Sequence, residues 1–241
     1  MNERSKLVPF SIRRPDPARI AEFAETARRL QHERAASEDL VTNALRDTPR
    51  EAWPRLIERH ELHTSGALER LGQEVDKRRS TDPREALAIA ELATSIAGTI
   101  PDDAYPAIII AQLRAHAWKD RCQALSYLGR YEEALGALDH AEREFDAFGT
   151  LAHDRALVRF CRAILLQHLR RFDEAQAILD ECRKVFRSHA DEQTYVKCTL
   201  AIGNLMARRH SGDAAVTSEG FAPGDPVSVA WRDDANVVLA S

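Results

Sequence analysis

The sequence predicts an all-α protein, an α-solenoid of antiparallel helix hairpins. Leu128-Gly-Arg-Tyr-Glu-Glu-Ala-Leu135 and Leu169-Arg-Arg-Phe-Asp-Glu-Ala-Gln176 are near copies, with Leu128 and Leu169 standing 41 residues apart. Each follows one helical pattern and precedes another, so the repeating unit is helix, short turn, helix. A hairpin of this kind buries its apolar face only against its neighbours, which is the logic of a solenoid. The register then extends both ways. Asp82-Pro-Arg-Glu-Ala-Leu87 aligns with Arg130-Tyr-Glu-Glu-Ala-Leu135 at a spacing of 48, and Ser211-Gly-Asp-Ala-Ala215 with Arg171-Phe-Asp-Glu-Ala175 at 40. In that register small residues fall into columns. Ala86, Ala134, Ala175 and Ala215 share a place early in the second helix, and Cys122, Ala163 and Gly203 share one in the first. Small side chains are expected where facing helices approach closely.

The elements follow in order. Residues 1–16 are polar and broken by proline, and they carry Arg4, Lys6, Arg13 and Arg14. They read as a flexible basic tail, or as a basic arm that touches an acidic partner. Residues 17–63 form a helical cap for the repeats. Ile20, Phe23, Ala24, Ala27 and Leu30 mark an amphipathic helix from Pro17 to about Arg34, and a shorter helix runs from Ser37 to Arg46. Thr48-Pro-Arg-Glu51 has the parts of a helix start: Thr as N-cap, Pro at the first helical position and Glu reaching back. Asp82-Pro-Arg-Glu85 repeats the device. The two short helices could form a helix-turn-helix, but no glycine turn parts them and no basic recognition helix follows, so nucleic acid is not expected as a partner.

Residues 64–210 hold the repeats, with a looser insertion at Thr99-Ile-Pro-Asp-Asp-Ala-Tyr-Pro106. Residues 211–241 read as a degenerate, incomplete repeat. After Arg209 the text turns rich in Ser, Gly, Pro and Asp, and the third unit's second helix is expected at 213–222. Asp225-Pro226 then opens an apolar pattern of Val227, Ala230, Trp231, Val237, Val238 and Leu239. Helix fits this pattern better than the alternating strand. An uncovered apolar end suggests a homodimer through this segment, or a partner, or a segment that folds back over the third repeat.

The chain resembles the tetratricopeptide repeat family. Trp118, Cys122, Gly129, Tyr131, Ala134, Leu138 and Ala141 match that family's pattern in order, and Ala163, Phe172, Ala175, Leu179 and Cys182 match more loosely, with Arg159 where the Trp would stand. The third unit keeps Gly203 and Ala215. The likeness covers roughly residues 64–215 and implies a right-handed superhelix. The family unit has about 34 residues, so units of 40 to 48 imply helices longer by about one turn each.

Composition narrows the function classes. The chain has 241 residues, 44% hydrophobic and 30% charged, with a net charge of −4, which argues for a folded chain and gives no global pull toward nucleic acid or membrane. The start lacks the apolar run of a signal peptide and no stretch approaches a membrane span, so a cytoplasmic location is expected. Cys122, Cys161, Cys182 and Cys198 stand singly and read as small apolar core residues. His60-Glu-Leu-His63 is not the H-E-x-x-H zinc motif, because its second His comes one residue early, and a solvated helix face is expected. Glu132 and Glu133 open a helix, where the dipole favours them. No G-x-S-x-G, P-loop or G-x-G-x-x-G occurs. The expectation is therefore not an enzyme, with no cofactor and no metal.

What remains is a protein-interaction scaffold, or alternatively a regulatory or sensor module of bacterial type that controls a transcription or signalling partner. The resemblance implies a concave surface lined by the first helix of each unit, which takes up a peptide or a partner helix. Carried onto this chain, that surface holds His116, Lys119, Gln123 and Tyr127, then Leu157, Phe160, Ile164 and Gln167, then Lys197, Leu200 and Asn204. The family's carboxylate clamp needs Lys and Asn at set places. Lys119 fits, whereas Gln123 and Cys161 stand where Asn would be.

Overall fold

The computed structural model describes residues 16–214. Its ordered elements are α1 (Pro17–Asp47), two 3-10 segments (Arg50–Glu58 and His60–Leu62), α2 (Ser65–Arg78), α3 (Pro83–Thr99), α4 (Ala107–Tyr127), α5 (Tyr131–Glu144), α6 (Ala152–His168), α7 (Phe172–Ser188) and α8 (Glu192–Ala214). Among the described residues there is no strand. The chain divides into two compact units, residues 1–70 and 71–241, and the division falls within α2.

In the first unit α1 is one helix of 31 residues, not two. Its middle, Glu33-Arg34-Ala35-Ala36, contains only good helix formers, and nothing there provides a stop. The helix-turn-helix reading loses its first helix and its turn for the same reason. Its second half is seated, with Ser37, Val41, Ala44 and Leu45 buried together with Trp53, Leu56 and Leu62. Its first half is not, because Ile20 is 52% and Phe23 76% exposed. At Thr48-Pro49 the expected α-helix start is absent. Pro49 is the cap residue, no side chain caps it, and a 3-10 segment follows with Pro54 inside. A proline cannot donate the bond that the α-helical ladder needs. The Thr48 carbonyl instead accepts from Trp53 Nε1 at 3.0 Å. The His60–His63 pair lies on the next 3-10 turn and its end, not on a helix face, and the ring nitrogen of His63 meets the Ile57 carbonyl at 2.7 Å. The start of α2 closes onto α1. Ser65 N and Oγ donate to Glu33 at 3.1 and 2.6 Å, and a Cβ on Gly66 would come within 2.3 Å of the Glu33 backbone.

In the second unit each helix from α3 to α8 packs on its neighbour in the chain, and in addition α4 touches α6 and α6 touches α8. The hairpins are therefore α4–α5 and α6–α7, as the repeat predicts, with α8 opening the next. The Asp82 device holds: its side chain accepts from Glu85 N at 2.9 Å with Pro83 behind it. The Glu85 carboxylate, however, is taken by Arg78 at 2.8 Å instead of reaching back. Ile100 and Tyr105 bury the two ends of the predicted insertion, and Arg114 holds it through the Ile100 carbonyl (3.2 Å) and Asp102 (2.8 Å).

The small-residue columns are closed at Ala86, Ala134, Ala175 and Ala163 (all 0% exposed) and at Cys122 (1%). Gly203 departs from its column. It is exposed, and a Cβ there would meet nothing within 4 Å, because no described helix covers that side of α8. The turn expected at Ser211-Gly-Asp is also absent: α8 runs on to Ala214. Ala215, the second helix expected at 213–222 beyond that point, the apolar set from Val227 to Leu239 and the basic tail up to Pro15 lie outside the described residues.

Candidate binding surface

The turns come first, because they set the first helices in parallel. At Leu128-Gly129-Arg130, Gly129 adopts φ +72°, its N–H donates to Ser126 O (3.0 Å) and Arg130 N–H donates to Leu125 O (3.0 Å). Arg170 (φ 60°) and Ala190 (φ 54°) repeat this at the ends of α6 and α7, with Arg171 N bonding Leu166 O and Asp191 N bonding Phe186 O. All three are the double-bonded stop with a left-handed residue that satisfies the last carbonyls of a helix. The acidic first turns of α5 and α7 then receive Arg130 on Glu133 and Arg171 on Glu174, each at 2.7 Å.

In the register of 41 and 40 residues, four rows cross α4, α6 and α8: His116, Leu157, Lys197; Lys119, Phe160, Leu200; Gln123, Ile164, Asn204; Tyr127, His168, Arg208. Every one of these positions is at least partly open to solvent. Two flanking rows behave otherwise. Ala117, Val158 and Cys198 are buried, as are Ala124, Leu165 and Leu205, because that side of each first helix lies against the preceding hairpin. The first helices thus share one continuous face, three side chains wide in chain order and four deep.

Along it the residues interlock from helix to helix. His116 on α4 reaches Asp154 on α6 at 3.7 Å, and Gln112 adds a bond to the same carboxylate at 3.4 Å. The facing His116 ring holds the Asp154 carboxyl below its usual range, against the opposing effect of burial. Lys119 is largely enclosed, with Nζ 3.4 Å from Asp120. Burial alone would lower its pKa. The carboxylate charges of Asp120 and Asp76 outweigh that and leave it raised, so Lys119 is a fixed cation. Behind it a Cβ on Gly72 would strike Asp120 Oδ2 at 2.6 Å, so α2 is held close to α4 there. Tyr127 is 48% exposed, and the Arg79 guanidinium lies 5.8 Å above its ring.

Four expected contact residues are less open than an exposed binding stripe would have them. Gln167 is buried at 6% exposure. It is one position off the rows, and His168, stacked 4.9 Å from Tyr131, occupies the place that the 41-residue step from Tyr127 marks. Lys119 and Gln123 are not freely exposed, and Gln123 Oε1 is inaccessible and without a hydrogen-bond partner. Phe160 is half-buried, its ring edge-on to Phe186 at 6.3 Å. Asp154, Asp120, Asp76, Arg79 and His168 belong to the surface and were missed. For His168 the repeat step itself was the signal, whereas the acids sit beside the rows and only packing reveals them. Of the four thiols, Cys122, Cys182 and Cys198 are buried, and desolvation pushes Cys182 to about 12 and Cys198 to about 11. Cys161 is half-buried beside Lys119 and Gln123, so it belongs to the open face rather than to the core.

Among the described residues no group of three or more His, Cys, Asp or Glu side chains is placed to hold a metal ion, and no helix is long and apolar enough to cross a membrane. No protein-family model matches the chain, and neither the curated proteins nor the solved structures contain a match to it.

Proposed function

We propose that the protein is an interaction scaffold that holds a peptide or a partner helix along the shared face of α4, α6 and α8. One observation carries the reading: twelve positions in repeat register stay open on three successive helices, while the adjoining rows Ala117, Val158, Cys198 and Ala124, Leu165, Leu205 are sealed. A monomer that needed those positions only for its own packing would close them. The chemistry is mixed, with apolar Phe160, Ile164 and Leu200 set between His116, Lys119, Lys197 and Arg208. Such a face suits an amphipathic segment that brings apolar side chains flanked by carboxylates. Tyr127 and His116 are the exposed anchors, and Tyr is a residue type enriched among the strongest contacts of interfaces.

The test is selection of binders from a displayed peptide library on the full chain, followed by titration of the selected peptide against variants. His116→Ala with Tyr127→Ala should weaken binding at least about tenfold, which corresponds to about 1.4 kcal/mol, with an unchanged far-ultraviolet spectrum. Glu132→Ala, on the exposed start of α5, should bind as the parent does. A selected peptide that binds the double variant as tightly as the parent would place the site elsewhere and sink the proposal.

A further inference from the structure

The α6–α7 hairpin lacks a ring that the hairpin before it contains. In α4–α5, Trp118 lies flat on His140, with ring centroids 4.2 Å apart and planes 14° from parallel. The 41-residue step carries these two positions to Arg159 and Glu181, which form an ion pair at 2.7 Å instead. The same step takes Ile108, in the first turn of α4, to Gly149 in the loop before α6. A stacked ring and a branched side chain thus give way to an ion pair and a glycine, and space is left. A cavity of about 160 Å³ lies between α6 and α7, lined by both exchanged positions and by Gly149.

The floor of this cavity is apolar and internally satisfied. Ala156 and Cys182 are 4% and 1% exposed, and Cys182 Sγ donates to the Ala156 carbonyl at 3.4 Å. Val185 adds a branched wall, and Arg155, also in the lining, donates to the Phe145 carbonyl. Gly149, Ala152 and Glu181 are exposed and mark the mouth. The polar groups left to meet a ligand are the Arg159 guanidinium and the Glu181 carboxylate.

Size and chemistry together select the occupant. An apolar cavity of roughly 150 Å³ takes benzene, so this one holds a flat ring and leaves a fused second ring to reach the mouth. A guanidinium favours the face of an electron-rich ring. A carboxylate has acceptor capacity for an N–H while it holds an arginine. We infer that the α6–α7 cavity binds an indole-type ring, its face toward Arg159 and its N–H on Glu181, in the place that Trp118 fills one unit earlier. None of the lining residues belongs to the rows assigned to peptide binding, so the two sites are independent.

The experiment is calorimetric titration of the full chain with indole and with N-acetyltryptophanamide, with valine methyls followed by nuclear magnetic resonance. Indole should bind with a dissociation constant of about 1 mM or tighter. It should shift the Val185 methyls and leave those of Val158, which lies against the preceding hairpin, in place. 1-Methylindole, which has no N–H to donate, should bind at least about tenfold more weakly. Arg159→Trp should fill the cavity from within and weaken indole by at least about the same factor, with an unchanged far-ultraviolet spectrum. Binding of indole alone assigns a free heterocycle to the site, and binding of both probes assigns a tryptophan side chain brought by another molecule. A parent that does not bind indole, Val185 methyls that do not move, 1-methylindole that binds as tightly as indole, or binding that survives Arg159→Trp each overturns the inference.

Discussion

Ala134 has no exposed surface, and it stands where α5 crosses its neighbours with room for one methyl group. Interiors are close-packed, so a larger side chain at such a crossing forces the helices apart. Ala134→Leu should lower stability by about 1–3 kcal/mol, measured as a drop in the urea midpoint at constant slope. An unchanged midpoint would mean that the repeat columns do not mark helix crossings. His168 shows a different control. Its ring stacks on Tyr131, and partial burial, helped by the charge of Arg208, lowers its pKa. The unfolded chain then takes up a proton before the folded one does. The contribution of His168 is complete above about pH 6.5 and is lost as the pH falls below that value. His168→Gln should flatten the fall in urea midpoint between neutral and mildly acid pH, whereas Asp154 and Asp191, both held low, act only further down, near about pH 4.

The helices end where left-handed residues end them. Gly129 meets the requirement at no steric cost, but Arg170 and Ala190 hold the same conformation with a Cβ, which costs about 1–2 kcal/mol for an L-residue. Ala190 has no side-chain contact beyond its methyl to lose. Ala190→Gly should therefore raise the melting temperature by a few degrees, as about 1 kcal/mol does in a domain of this size. The reverse change, Gly129→Ala, should lower it. If Ala190→Gly instead destabilises, the turn after α7 is not the left-handed stop seen here. At this scale α1 is the contrast, since only its second half has something to lie against.

Across the whole molecule, packing is graded along the chain. α4 to α7 have neighbours on two sides, α8 has a described neighbour on one, and the first half of α1 leaves Ile20 and Phe23 in water. A structure stabilised by nearest-neighbour contacts opens first where neighbours are missing. Native-state hydrogen exchange should be slowest in the amides of α4, α5 and α6. It should be intermediate at the open end of α8 and fastest from Pro17 to about Leu30. Uniform protection from α1 through α8 would show a single cooperative block rather than a stack of repeats.

The local text determined much of this. The doubled Leu-x-Arg-aromatic-acidic-Glu-Ala phrase located both hairpins. The Asp82-Pro83 cap fixed the start of α3, and the alanine columns named the crossings before any contact was known. These signals are legible because caps, turns and the 3.6-residue period act within a few residues of one another. The same locality explains the failures. Thr48-Pro49 offers every cap residue, yet Pro54 lies too soon after it for an α-helix. Gly203 sits in a small-residue column, but a column is closed only by what faces it. Gln167 and His168 are neighbours in sequence and point to opposite fates, one buried and one on the open face, because one step along a helix turns the side chain by about 100°. What the sequence settled alone is the unit and its repetition. Which rows are sealed, which stay open and which acids surround Lys119 were decided only when the helices came together, since burial belongs to pairs of surfaces and no single segment encodes its partner.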